Sequence, residues 1–190
     1  MQRITKGEIS GRLSQAHETT NVQSFLRLGE GRVKAIAEGT CANLVIRGLN
    51  RANAIIAHHG EVVSIFPSDW KFNSLFTTRL ATSVGILAHN SESMTVLLAN
   101  VTCPLEAVFA MGLALDRALR DIVVYGGDPA FAESEKTLAT IEGFLVQNAR
   151  HFNVVGRNTL GMGDRALDIA IERKSGEVFI PNLTSVPEFP

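Results

Sequence analysis

The sequence predicts an α/β protein of the α+β sandwich kind, built from two β-α-β-α-β-β units packed as a pseudo-dimer. Three observations lead there. Short runs rich in β-branched residues alternate with longer stretches whose apolar residues recur every three or four positions. The order of these elements repeats after about 90 residues with little identity between the copies, so the repeat is one of element order. The chain has 190 residues, 45% of them hydrophobic. A unit of ~90 residues is small and gains from covering its apolar surface with a second.

The elements read as follows. Lys6 to Ile9 reads as an edge strand, and Leu13 to Leu28 as a helix interrupted at Thr19-Thr20-Asn21. Arg32 to Gly39 is a short strand ending in a glycine turn. Thr40 then stands as N-cap of a helix over Cys41 to His59, because Val45, Leu49, Ala52 and Ile56 recur at helical spacing and Gly60 follows as a C-cap. Glu61 to Phe66 and Arg79 to Leu87 are two strands joined by the connector Pro67 to Thr78. The second unit starts with a strand over Met94 to Val101 and a helix over Pro104 to Leu119, its proline at the permitted first turn. A strand at Ile122 to Tyr125 leads through Gly126-Gly127 to a helix over Phe131 to Ala149. Strands at Phe152 to Gly156 and Ala166 to Arg173 close it, joined by the glycine-containing loop Asn158 to Asp164. The organisation is thus a basic unit 1–90, an acidic unit 91–180 and an extended, proline-containing tail 181–190.

Composition excludes several classes. No run reaches the ~18 apolar residues of a spanning helix, so no membrane partner is expected. With 19% charged residues and a net charge of −1, the chain is not of the disordered type. Two cysteines, Cys41 and Cys103, cannot make a disulfide framework, and the first ten residues lack a secretory apolar core. A reducing compartment, cytoplasm or organelle matrix, is the expectation. The near-zero net charge hides an asymmetry: residues 1–90 carry ten Lys/Arg against six Asp/Glu, and 91–190 carry eight against thirteen. The first half is therefore the better surface for a phosphate backbone.

The stretch VKAIAEGTCANLVIRGLNRANAII, with HGEVVSIFP and TRLATSVGIL after it, resembles the Alba-like superfamily, most closely the stage V sporulation protein S type. The resemblance covers roughly residues 30–88 and reaches the second half through element order alone. It implies tandem Alba-like units, dimer-like association and nucleic-acid binding without catalysis.

Within the helix expected at 41–59, Asn43, Arg47 and Asn50 fall on one stripe with Arg51 beside them, and Gly39-Thr40 leaves amide groups free at its start. Arg and Asn suit phosphate and base-edge hydrogen bonds, although the same stripe also describes a solvated helix face. The connector holds Trp70, the one tryptophan, with phenylalanines interleaved with Lys71 and Arg79. Such an arm suits stacking on unpaired bases, a protein interface, or local packing. His58 and His59 read as helix C-terminal caps, and the five histidines show no metal-ligand spacing. No catalytic residue, metal or cofactor is assigned.

The functional expectation is a non-enzymatic RNA- or nucleic-acid-binding subunit of a ribonucleoprotein assembly. Its site would be Gly39, Thr40, Asn43, Arg47, Asn50, Arg51, Trp70, Lys71 and Arg79, and its partners RNA and other protein subunits. A scaffold subunit without nucleic-acid contact is the alternative, and a small-molecule-binding or enzymatic protein the third.

Overall fold

The computed structural model describes residues 1–9, 46–128, 130–159 and 167–183. Their elements are β1 (Gln2–Ile4), β2 (Ile46–Gly48), a 3-10 turn (Arg51–Asn53), β3 (Ala54–Ile56), β4 (Glu61–Ile65), β5 (Ser74–Leu80), β6 (Val84–Asn90), β7 (Thr95–Val101), α1 (Pro104–Asp116), β8 (Asp121–Gly126), α2 (Ala132–Gln147), β9 (Asn153–Thr159), β10 (Leu167–Glu172) and β11 (Val178–Asn182). The protein is a mixed α+β sandwich of two mixed sheets and few helices.

The first sheet runs β1-β4-β7-β6-β8-β9 and the second β2-β11-β10-β5-β3. In the first, all neighbours are antiparallel except β8 and β9, which are parallel. Parallel strands need a crossover, and the chain supplies two: β7-α1-β8 passes over β6, and β8-α2-β9 joins neighbours. Both helices pack on one face of this sheet, where Val62, Ile86, Leu97, Met111, Ile122 and Ile141 share a core. The opposite face carries Val63, Leu87, Leu98, Val123 and Tyr125 against Leu75, Leu80, Ile169 and Ile171 of the second sheet. A third cluster, Leu49, Phe76, Ala170 and Phe179, lies on the outer face of the second sheet.

The inter-sheet contact is keyed by two features. Leu80 is fully buried, and a Cβ added at Gly85 would lie 2.7 Å from its Cδ1, so the absent side chain of β6 is the seat for a leucine of β5. Beside it Asn100 donates from Nδ2 to Thr77 Oγ1 at 2.8 Å, a buried cross-sheet hydrogen bond. Strands from before and after residue 90 interleave in the first sheet, β6 lying between β7 and β8.

Most second-half elements stand where the sequence puts them. Four first-half readings are corrected. Residues 46–59 form no helix, but β2, the 3-10 turn and β3. Ile55 packs between the sheets while Leu49, Ala54 and Ile56 belong to the outer-face cluster, so both faces hold apolar side chains and the run shows no strand-like alternation. Lys6 to Ile9 is a helical turn, and the edge strand is Gln2–Ile4. The sequence Thr-x-x-Glu is the cause, for Glu8 Oε2 accepts from both Thr5 N and Thr5 Oγ1 in capping-box fashion. The strand expected at 79–87 is two strands broken at Ala81-Thr82-Ser83, and β5 begins at Ser74 inside the expected connector. In the second half, the start of the tail expected over 181–190 belongs to a strand, because Val178–Asn182 is β11, held between β10 and β2, and 184–190 lie outside the described residues. Pro181 argued against a strand there, yet it pairs with Arg47 in the short parallel ladder to β2. Histidines 58 and 59 occupy the β3–β4 turn and cap no helix. The elements expected at 13–28 and 32–39 lie outside the described residues.

Candidate nucleic-acid interface

The outer face of the second sheet is set by register. Ser74 lies opposite Glu172, Phe76 opposite Ala170, Ala170 opposite Phe179, and Pro181 opposite Arg47. Side chains directly across a ladder share a face, so aromatic, acidic and basic groups from four strands meet on one surface. The 3-10 turn closes one end of it. Asn50 caps that turn by accepting from Ala52 N through Oδ1 at 3.0 Å, and Arg51 Nη2 donates to the Leu183 carbonyl at 2.9 Å. Backbone bonds then fix the asparagines: Asn73 N donates to Asn53 O at 2.8 Å, and Arg173 N to Asn73 O at 2.7 Å.

Between these groups is a cavity of about 220 Å³ lined by Arg47, Gly48, Leu49, Asn50, Asn53, Asn73, Ser74, Glu172 and Phe179. Arg47 dominates its rim. Its Nη1 meets Glu177 Oε2 at 2.8 Å, its Nη2 meets Glu172 Oε1 at 3.2 Å, and its guanidinium carbon stands 5.3 Å from the centroid of the Phe179 ring. Glu172 and Glu177 face each other across the hairpin end, where Glu172 N donates to Glu177 O at 2.9 Å. Two like charges so placed repel, and Arg47 relieves both. Ser175 Oγ adds a hydrogen bond to Glu172 Oε2 at 2.6 Å. The fixed charge of the rim is thereby balanced, Arg47 and Arg51 against Glu172 and Glu177. The side-chain amides of Asn53 and Asn73 and the Nδ2 of Asn50 have no hydrogen-bond partner among the described residues.

The connector from β4 to β5 carries Trp70 and ends at Asn73 on the cavity wall. Asp69 Oδ2 accepts from Phe66 N at 2.9 Å, Asp69 N donates to Phe66 O, and Phe72 N donates to Asp69 O, so two tight turns hold the segment. Trp70 at its apex is 82% exposed and stands three residues from Asn73, within about 10 Å of backbone. Lys71 Nζ lies 5.8 Å from the Phe72 ring centroid. The Asp69 carboxyl is held below the usual carboxylate range, first by its hydrogen bond from the Met1 ammonium and then by Phe66 N.

Of the residues expected from sequence, Arg47 and Asn50 line the cavity, Arg51 borders it, and Trp70 and Lys71 stand on the adjoining connector. Arg79 is apart. It sits at the opposite end of β5 from Ser74, roughly 17 Å away along the strand, where its N donates to Asp168 Oδ1 at 2.9 Å. Gly39, Thr40 and Asn43 lie outside the described residues. Asn53, Asn73, Ser74, Glu172 and Phe179 escaped the sequence reading. Asn73-Ser74 at a strand start carried a turn signal, whereas Glu172 and Phe179 reach Arg47 from 125 or more residues downstream through strand pairing alone.

Away from this face, Cys103 is half-buried at the start of α1, and burial pushes its thiol up. Among the described residues no three His, Cys, Asp or Glu side chains gather to hold a metal ion, and no helix is long and apolar enough to cross a membrane. Neither a known family model nor any curated protein matches the sequence.

Proposed function

We propose that the chain is a non-enzymatic protein that binds single-stranded RNA as a subunit of a ribonucleoprotein assembly, with the outer face of the second sheet as its RNA surface. One observation carries this reading: asparagine amides without partners among the described residues line a cavity with Arg47 and Arg51 at its rim, and an exposed tryptophan stands three residues along the chain from Asn73. Amides suit base edges, and an exposed indole suits stacking on an unpaired base. The compensation of Arg47 by two carboxylates removes it as a phosphate contact, which leaves Arg51 and Lys71. Two phosphate contacts on a single strand give a salt slope of roughly −1.4, so affinity is weak and other subunits add to it.

Anisotropy of a labelled single-stranded RNA across a salt series is the test. Arg51→Ala with Lys71→Ala should flatten the slope, while Trp70→Ala should weaken binding and leave the slope alone. A slope several times steeper, or affinity indifferent to all three changes, refutes this face.

A second reading, a protein scaffold without RNA contact, draws on exposed apolar side chains: Ile46 at 71%, Trp70, Val155 at 54% and Phe131 at 51%. Concentration-dependent assembly without RNA binding at low salt would select it. Tandem Alba-like units remain part of the proposal, supported by the β-α-β-α-β-β order of residues 95–172. Against them stand the strand interleaving and the missing helix over 46–59, so the RNA reading is argued from the cavity and not from kinship.

A further inference from the structure

Resting on the RNA reading, we propose that the cavity receives one unpaired nucleobase bearing an exocyclic amino group, adenine or cytosine in preference to uracil, with Arg47 as its stacking plate. Size limits the occupant first. A volume of about 220 Å³ lies below the ~300–1,000 Å³ of pockets for drug-sized ligands. It suits an occupant smaller than these, such as a single base.

The second argument is the state of Arg47. Its N–H groups are engaged by Glu172 and Glu177, and its guanidinium carbon lies over the Phe179 ring, 5.3 Å from the centroid. The side chain is nevertheless 46% exposed, so part of it remains open to an incoming ligand. A guanidinium neutralised at its edges and held beside an aromatic ring is a poor phosphate clamp, and its delocalised plane suits stacking on a base.

The third argument is the polarity of the walls. Asn53 and Asn73 each offer a donor and an acceptor, and Asn50 offers its Nδ2. Asparagine pairs with the adjacent donor and acceptor of adenine, and a carboxylate accepts from the cytosine amine. Glu172 has no hydrogen to give, so it welcomes an amino group and repels the carbonyl that uracil presents in the same place.

The experiment uses the full chain with fluorescein-labelled decamers of adenylate, cytidylate and uridylate, and, by NMR titration, with adenosine, cytidine and uridine alone. The adenine and cytosine decamers should bind on the order of fivefold or more tighter than the uridylate decamer. Glu172→Gln and, separately, Asn73→Ala should shrink that ratio, each variant being checked for native circular dichroism. Equal binding of all three decamers overturns the base preference and leaves the RNA reading standing. Uridine bound as well as cytidine points to the ribose and also overturns it. Nucleosides that keep the preference while no decamer binds uphold this inference and sink the RNA reading. Silence from every ligand refutes both.

Discussion

Leu80 and Gly85 form a lock between the two sheets, and a double-mutant cycle measures it. Leu80 is fully buried, so Leu80→Ala removes a core side chain and leaves a cavity, at a cost of about 3–5 kcal/mol. Gly85→Ala acts from the other side. Its new Cβ would lie 2.7 Å from Leu80 Cδ1 and at 3.6 and 3.7 Å from Leu80 Cδ2 and Cγ. Carbon atoms prefer roughly 3.5–4.0 Å, so one contact overlaps by close to an ångström and the others are ordinary. Overpacking of this size costs ~1–3 kcal/mol, offset by up to ~1 kcal/mol from the lower unfolded-state entropy of alanine. In the double variant the offending Cδ1 is gone and the new methyl enters the space it left. The two changes should then be non-additive, the double variant being about 1–3 kcal/mol more stable than the sum of the singles predicts. Urea unfolding followed by far-ultraviolet circular dichroism is the assay, because Trp70 is too exposed to report on the core. Additivity within ~0.5 kcal/mol would mean that Leu80 does not sit over Gly85.

Three further outcomes are expected. Ala118, at φ 52, occupies the left-handed position after α1, with Leu119 N bonded to Ala114 O and Ala118 N to Leu115 O; Ala118→Gly should stabilise the protein by ~0.5–1 kcal/mol, raising Tm by about 1–3 °C in a calorimetric scan. Because burial raises the Cys103 thiol, its thiolate fraction near neutral pH falls below that of a free cysteine; in a Cys41→Ser background its reaction with iodoacetamide should be slower than that of glutathione, and the reverse would contradict the burial. Trp70 fluorescence should resemble that of indole in water and be strongly quenched by acrylamide, whereas a blue-shifted, protected signal would show the connector packed otherwise.

The second half was legible because its signals are local. Cys103-Pro104 opens α1, and Gly126-Gly127, both at positive φ, turn the chain after β8. The first half misled because its apolar residues serve two interfaces. Ile55 fills the space between sheets while Ile56 joins the outer-face cluster, and in β4 Val62 packs on the helix side while Val63 faces the second sheet, so neither period of two nor period of 3.6 records a single buried face. The site shows the same division. Arg47, Asn50 and Arg51 are visible as a cluster in sequence even though the helix imagined for them is a strand and a turn. The carboxylates that neutralise Arg47 come from β10 and the hairpin after it, and no spacing along the chain announces a contact across 125 residues.

The placement of β6 between β7 and β8 governs how the chain is made. A ribosome releases β7 directly after β6, so this hairpin can pair at once, but β8, the other neighbour of β6, emerges only after α1, and β5 waits longer still for β10. Loop closure over such separations is slow, and until it happens the nascent chain displays unpaired strand edges bearing leucine, isoleucine and phenylalanine. Synthesis therefore passes through a window in which aggregation competes with folding, which closes only when residues 167–182 have emerged to finish the second sheet. Slowing elongation between residues 90 and 167 should lower the soluble yield, and a chaperone that shields strand edges should restore it.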